Sequence, residues 1–160
     1  MKMLKYTFPL MLVLLFALAF AACVQQPIPT SVTSGSTPTA TNSSQALIKT
    51  ATATVKGSSK AILTNAQGLT LYYRTTDKPP SKVCSGGCAG AWPPLLFTGS
   101  GTPGSSTRLP GKLTAVVDAN GHQVEYNGHP LYTFASDTAP GQTNGEGVGG
   151  IWFVATPGLH

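Results

Sequence analysis

The stretch GHPLYTFASD at residues 128–137 repeats a stretch that lies 60 residues earlier, GLTLYYRTTD at residues 68–77. The same spacing relates further identical residues beyond both stretches. The matched pairs are Gly68 and Gly128, Leu71 and Leu131, Tyr72 and Tyr132, Asp77 and Asp137, Pro80 and Pro140, Gly87 and Gly147, Gly90 and Gly150, and Trp92 and Trp152. These ungapped identities indicate an internal duplication.

Short apolar stretches separated by turn signals fill the chain from about Lys49 onward. Asn127-Gly128 predicts a type I′ hairpin turn, because both central positions of that turn need positive φ. The segments 65–68 and 118–121 mark two further turns. Outside the N-terminus no window shows a sustained 3.6-residue period, so we predict an all-β fold of antiparallel meanders.

The duplication gives two repeat units, about residues 60–97 and 120–157. A unit of this length can hardly bury a core alone, whereas two packed units form a domain of viable size. We therefore predict one β domain at 49–160, with its tandem repeats related by a pseudo-twofold axis. Trp92 and Trp152 are expected to contribute to its core.

The first 22 residues have the pattern of an export signal. Lys2 and Lys5 precede an apolar run, and small residues directly precede Cys23, which resembles the bacterial lipobox. We predict a lipoprotein signal peptide at 1–22 and lipidation of Cys23. The lipid would hold the mature chain on a cell membrane or at the outer surface, outside the cytoplasm. The alternative is a conventional signal-peptidase cut that leaves Cys23 unmodified.

Residues 23–48 form a segment dominated by Ser, Thr and Pro and devoid of charged residues. Such a composition cannot bury enough apolar area to offset the entropy of ordering the chain. We predict a disordered tether between the lipid and the β domain.

Charge is scarce throughout, at 9% of residues against about 25% in a typical soluble domain. The formal net charge of +5 falls to +3 once Lys2 and Lys5 are removed with the signal peptide. The remaining basic residues form no run. In an exported protein this weak, scattered charge excludes nucleic acid as a plausible partner.

The second copy of the repeated stretch has the motif Tyr-x-aromatic-x-x-Asp through Tyr132, Phe134 and Asp137. The first copy has Tyr72 and Asp77, with Arg74 at the aromatic position. Cys-x-x-x-Cys at 84–88 and Trp-Pro-Pro at 92–94 follow the first copy. Together these features resemble a family of bacterial secreted-repeat lipoproteins. The resemblance implies export and tandem repeats, and it implies no established activity.

Cys84 and Cys88 lie in a glycine-rich loop of an exported chain, which favours a disulfide. The alternative is a copper or thiol-redox site using the same pair, since Cu(I) prefers sulfur ligands. The mature chain has no Met and only scattered His residues to complete a copper site. A second ligand pair of zinc-site spacing is also missing, so we assign no metal or cofactor.

Asp77 and Asp137 are expected to accept backbone N–H bonds in the turn after each strand, while Tyr72 and Tyr132 bury their rings and keep their hydroxyls at the rim. The alternative brings the two carboxylates together as a hydrolase pair. We find no catalytic constellation in the sequence. The leading hypothesis is a non-enzymatic surface binding or structural module for an unidentified envelope or extracellular ligand.

Overall fold

The computed structural model describes residues 46–160. In that range the regular structure is strand, apart from one five-residue helix and one 3-10 turn. The elements in chain order are β1 (Ala46–Val55), β2 (Ser58–Asn65), β3 (Tyr72–Arg74), α1 (Gly87–Ala91), β4 (Gly104–Ser105), β5 (Leu113–Asp118), β6 (Gly121–Tyr126), β7 (His129–Pro130), the 3-10 turn (Val148–Gly150) and β8 (Trp152–Val154). The all-β prediction is confirmed.

The domain contains two antiparallel hairpins, β1 with β2 and β5 with β6. β1 pairs with β2 through a turn at Lys56 and Gly57, and both residues have positive φ. β5 pairs with β6, and β6 continues to β7 through Asn127-Gly128, with φ of 49° and 80°. Positive φ at both positions is what the type I′ prediction requires. The meander β5-β6-β7 follows directly from this turn.

β1 lies in the middle of a three-stranded sheet, antiparallel to β2 and briefly parallel to β4. It begins at Ala46, three residues before the Lys49 at which the domain was expected to start. The apolar run Ala46-Leu47-Ile48 extends the strand, and Ile48 is fully buried. The predicted signal peptide, Cys23 and the tether up to residue 45 lie outside the described residues.

The two repeats exchange strands at the centre of the domain. β3 of the first repeat pairs antiparallel with β8 of the second, which sets Tyr72 opposite Val154. The related position of the other half sets Tyr132 opposite Pro94. Tyr72 and Tyr132 also exchange backbone N–H to carbonyl hydrogen bonds of 2.8 and 3.0 Å. These reciprocal pairings confirm the predicted pseudo-twofold arrangement.

Two buried clusters lie inside these strands. One is mainly aliphatic and contains Ile48, Leu63, Leu71, Leu95, Leu113, Val124, Tyr126, Leu131, Ala155 and Leu159. The other surrounds the exchanged strands and contains Ala53, Val55, Ile62, Tyr72, Cys84, Trp92, Tyr132, Trp152 and Val154. Each fully buried Leu or Ile contributes about 1.5–3 kcal/mol through removal of its side chain from water. The second cluster also holds the two motif tyrosines and both tryptophans.

Candidate functional site

The tyrosine of each motif is hydrogen-bonded to the aspartate of the other motif. The Tyr72 hydroxyl donates to Asp137 Oδ2 at 2.5 Å, and the Tyr132 hydroxyl donates to Asp77 Oδ2 at 2.7 Å. The expected placement of the hydroxyls at the rim is therefore wrong, because both are enclosed where the repeats meet. The motif joins the two repeats by a reciprocal pair of bonds to carboxylates, which are stronger than bonds between neutral groups.

Each tyrosine oxygen also accepts a backbone N–H from the loop of the opposite repeat. Cys84 N–H donates to Tyr132 at 3.1 Å, and Gly145 N–H donates to Tyr72 at 3.2 Å. A side chain at Gly145 would clash, since an added Cβ would lie 2.8 Å from both the Tyr72 ring and the Trp92 ring. Glycine at this position allows the close approach that the hydrogen bond needs.

Burial raises the pKa of Tyr72 and Tyr132 above the usual tyrosine value. The hydrogen bonds to Asp137 and Asp77 raise both pKa values further, because ionisation would set two anions side by side. Both phenols therefore remain protonated donors at neutral pH. They are not set up to act as bases or nucleophiles.

The two tryptophans stack face to face at the centre of the domain. Their ring centroids are 3.8 Å apart, with an interplanar angle of 3°. Phe134 stacks on the outer face of Trp92 at 4.3 Å, and the Arg74 guanidinium lies 5.6 Å from the ring centroid of Trp152. Arg74 thus takes the place that Phe134 has in the other half. Phe134, Trp92, Trp152 and Arg74 therefore form a stack of four flat groups. Arginine at the aromatic position of the first motif keeps this stack, because guanidinium groups pack on aromatic faces.

The remaining oxygen of each carboxylate is bound differently in the two halves. Asp77 Oδ1 accepts from Arg74 Nε and Nη2, both at 2.5 Å. Asp137 Oδ1 accepts from the backbone N–H and the side-chain amide of Asn144, at 3.1 and 3.0 Å. Asp137 thus accepts a backbone N–H as expected, although from Asn144 seven residues later, whereas the partners of Asp77 are side chains. Every oxygen of the two carboxylates has a specific partner.

Cys84 and Cys88 form the predicted disulfide, with Cα atoms 5.4 Å apart. Cys84 is buried, whereas Cys88 is partly exposed at the start of α1. Arg74 Nη1 lies 3.9 Å from Cys88 Sγ, so the disulfide loop, the arginine and Asp77 are in contact. Within residues 46–160, no group of three or more His, Cys, Asp and Glu side chains is arranged to hold a metal ion.

A cleft of about 450 Å³ opens beside the exchanged strands, and sequence reasoning did not find it. Tyr73 and Phe153 line it, together with Lys60, Glu146 and His160. The two rings are neighbours across the pairing of β3 with β8, with centroids 6.1 Å apart. The available signal was the second tyrosine of Tyr72-Tyr73, which has no counterpart in the related Tyr132-Thr133.

Comparison with known protein families identifies the repeats. A family model described as a secreted repeat of unknown function matches residues 53–96 and again 114–156, which together exceed half of the chain. The chain belongs to this family. Each match to the secreted repeat contains one Tyr-Asp motif and one of the stacked tryptophans. Membership of the secreted-repeat family supports export of the protein.

No match was found among curated proteins or among solved structures. In the part of the chain that the structure describes, no helix is long and apolar enough to span a membrane.

Proposed function

We propose that this secreted-repeat protein is a lipid-anchored, non-catalytic recognition module of the cell envelope. The observation that carries the proposal is that the polar atoms of the motif residues are bound within the domain. Both tyrosine hydroxyls and all four carboxylate oxygens of Asp77 and Asp137 are hydrogen-bonded within the domain. A catalytic residue must reach substrate, whereas these groups hold the two repeats together. The motif therefore builds a scaffold, and recognition rests on the residues around it.

The N-terminal sequence supports the lipid anchor. A basic start, an apolar run and small residues before Cys23 form a substrate for lipidation and cleavage. One acyl chain binds membranes only marginally, whereas two or more chains anchor a protein stably. The uncharged segment that follows is long enough to hold the β domain about 25–30 Å from the lipid headgroups, by the square-root scaling of flexible chains.

Thiol-disulfide exchange at Cys84 and Cys88 is a second candidate function. Its support is the partly exposed Cys88, whose sulfur lies 3.9 Å from the Arg74 guanidinium. A nearby cation stabilises a thiolate, which favours reduction of the bond by an external dithiol. The paired Asp77 offsets much of that charge, so we rank this candidate below the recognition module.

The anchor is tested by expressing the full chain in bacteria and analysing the membrane fraction. We expect the N-terminal peptide to begin at Cys23 with the mass of a lipid-modified cysteine. Cys23→Ser should remove the modification and release the domain from the membrane. An unmodified Cys23 in the wild-type protein would contradict the proposed anchor.

The second candidate is tested in the same preparation by alkylating free thiols before any reductant is added. A structural disulfide predicts that Cys84 and Cys88 stay unlabelled in cells with or without the dithiol proteins that reduce disulfides in the envelope. Labelling of Cys84 and Cys88 that is present with these reducing proteins and absent without them would favour the exchange function over the recognition module.

A further inference from the structure

The cleft at Tyr73 and Phe153 carries an aromatic pair that the fold does not require. The two residues are direct partners in the pairing of β3 with β8. The related partners in the other half are Thr133 and Pro93, joined by a backbone hydrogen bond of 2.9 Å. A threonine and a proline thus maintain the same strand pairing. The aromatic pair is an addition to one half, at the position where a cleft opens.

The size and exposure of the cleft suit a small ligand. Its volume of about 450 Å³ falls in the range of about 300–1,000 Å³ that is usual for ligand sites. Tyr73 and Phe153 are both partly buried, so their rings are held in place and still reach solvent. The tilted rings, with an interplanar angle of 37°, form a shallow platform rather than a closed slot.

Charged side chains border this platform, and Glu146 is held in place among them. The Glu146 side chain is only 12% exposed, and its Oε2 accepts the Val154 N–H at 2.8 Å. Its Oε1 lies 3.4 Å from Lys56 Nζ, which also lies 5.5 Å from the Phe153 ring centroid. A carboxylate has about four acceptor sites, so Glu146 retains capacity for ligand hydroxyls. Lys60 supplies a donor on the same cleft.

These features together select one ligand chemistry. A purely apolar ligand would bury the Lys60 ammonium without a partner, which is costly. An anionic ligand would meet the Glu146 carboxylate, and a cationic ligand would meet the Lys60 ammonium on the same cleft. A neutral sugar ring has an apolar C–H face for the aromatic platform and a rim of hydroxyls for the charged groups.

We propose that the Tyr73 and Phe153 cleft binds a neutral saccharide. The sugar face packs on the two rings, while Glu146 accepts and Lys60 donates hydrogen bonds at its edge. Burial and the nearby Glu146 raise the pKa of Tyr73, so its hydroxyl remains an additional donor at neutral pH. This assignment rests on the proposed recognition function and names its ligand class.

The test measures binding of two neutral tetrasaccharides to the full-length protein by isothermal titration calorimetry. One probe is the β-1,4-linked oligomer of N-acetylglucosamine, and the other is the β-1,4-linked oligomer of glucose. The first represents wall-type glycans and the second represents extracellular polysaccharides. Saturable, stoichiometric binding of at least one probe is expected.

Variants then locate the site. Phe153→Ala and Tyr73→Thr, the latter introducing the residue of the related position, should each raise the dissociation constant about tenfold or more. Tyr73→Phe keeps the ring and should change it by only a fewfold. Val117→Ala alters an exposed apolar residue on β5 and should change nothing. Melting temperatures of all variants identify any loss of folding, and Phe153→Ala keeps the test decisive if Tyr73→Thr fails to fold.

Absence of binding to both probes would overturn the saccharide assignment and leave the recognition module and its anchor standing. Binding that Phe153→Ala and Tyr73→Thr leave unchanged would overturn the location of the site. Mass spectrometry of the probes after incubation provides the separate control on the proposed function. Shortened oligosaccharides that appear only with active protein would contradict a non-catalytic module.

Discussion

Asp77 and Asp137 have the same kinds of contact in the two halves of the domain, but different residues make those contacts. At Asp77 the second carboxylate oxygen is bound by Arg74, which also covers Trp152. At Asp137 these two tasks are divided, since Asn144 binds the carboxylate and Phe134 covers Trp92. The repeat therefore requires a flat group on the indole and a donor to the carboxylate. It does not require a particular residue for either task.

The two halves also differ in how the loop that donates to the tyrosine is held. In the first half a disulfide closes the loop at Cys84 and Cys88. The related residues at a spacing of 60 are Asn144 and Val148, and Asn144 uses its amide groups on Asp137 instead. A covalent bond and a pair of hydrogen bonds thus perform the same local task. Removing either one tests whether the halves are energetically equivalent.

The largest expected effect comes from making the first half resemble the second with Arg74→Phe. The new ring should keep the stack on Trp152, but the Asp77 side chain, which is only 1% exposed, would lose the guanidinium. We expect the free energy of unfolding to fall by about 2–3 kcal/mol at pH 7, as for other hydrogen bonds to buried charges. Chemical denaturation measures this change.

The matched control adds Asp77→Asn to Arg74→Phe. A neutral amide needs no cation, so the double variant should recover part of the lost stability. If Arg74→Phe alone leaves the stability unchanged, stacking on Trp152 is the only role of Arg74, and the proposed difference between the halves is wrong.

Removal of the disulfide should have a smaller effect. The closed loop is short, so Cys84→Ala with Cys88→Ala should lower the free energy of unfolding by about 2 kcal/mol on the loop-entropy estimate. Reduction of the wild-type protein should lower its denaturation midpoint similarly. Both forms should keep the far-ultraviolet spectrum of the folded domain, since the second half holds its loop without a disulfide. Complete unfolding would show that the halves are not equivalent.

Several parts of the fold could be predicted because their signals are local. Asn127-Gly128 sets its own turn, and the glycine-rich loop of an exported chain indicated the bond between Cys84 and Cys88. The duplication could be predicted from residue identities alone. The turn at Lys56 and Gly57 lacks the Asn-Gly signal, so it was missed.

The partners of the motif residues could not be predicted from the repeat. A duplication is equally compatible with Tyr72 bound to Asp77 of its own motif and with Tyr72 bound to Asp137, 65 residues away. Strand exchange decides between them, and that exchange depends on packing of the whole domain. The cleft at Tyr73 and Phe153 was missed for the same reason, since those residues are neighbours only through the exchanged strands.

The smallest effect per residue is a dependence on alkaline pH that both halves should share. Burial raises the folded-state pKa of Tyr72 and Tyr132, whereas unfolded tyrosine ionises near pH 10. Their contribution to stability is therefore present below about pH 10 and is lost as pH rises above it. Each tyrosine should lower the free energy of unfolding by about 1.4 kcal/mol per pH unit in that window.

Tyr72→Phe and Tyr132→Phe should each remove one tyrosine's contribution to the decrease of the unfolding free energy with pH. Denaturation curves recorded from pH 8 to pH 11 measure this contribution. Equal contributions from the two tyrosines would show that the two Tyr-Asp bonds are energetically equivalent. A wild-type stability that stays constant above pH 10 would contradict the enclosed phenols.

The central claim is that each tyrosine is locked to the aspartate of the other repeat. A double-mutant cycle with Tyr72→Phe and Asp137→Asn tests it most directly, with Tyr72→Phe and Asp77→Asn as the matched cycle within one motif. We predict a coupling energy of about 0.5–3 kcal/mol across the repeats and additivity within about 0.5 kcal/mol inside the motif. Coupling inside the motif with none across the repeats would contradict the account.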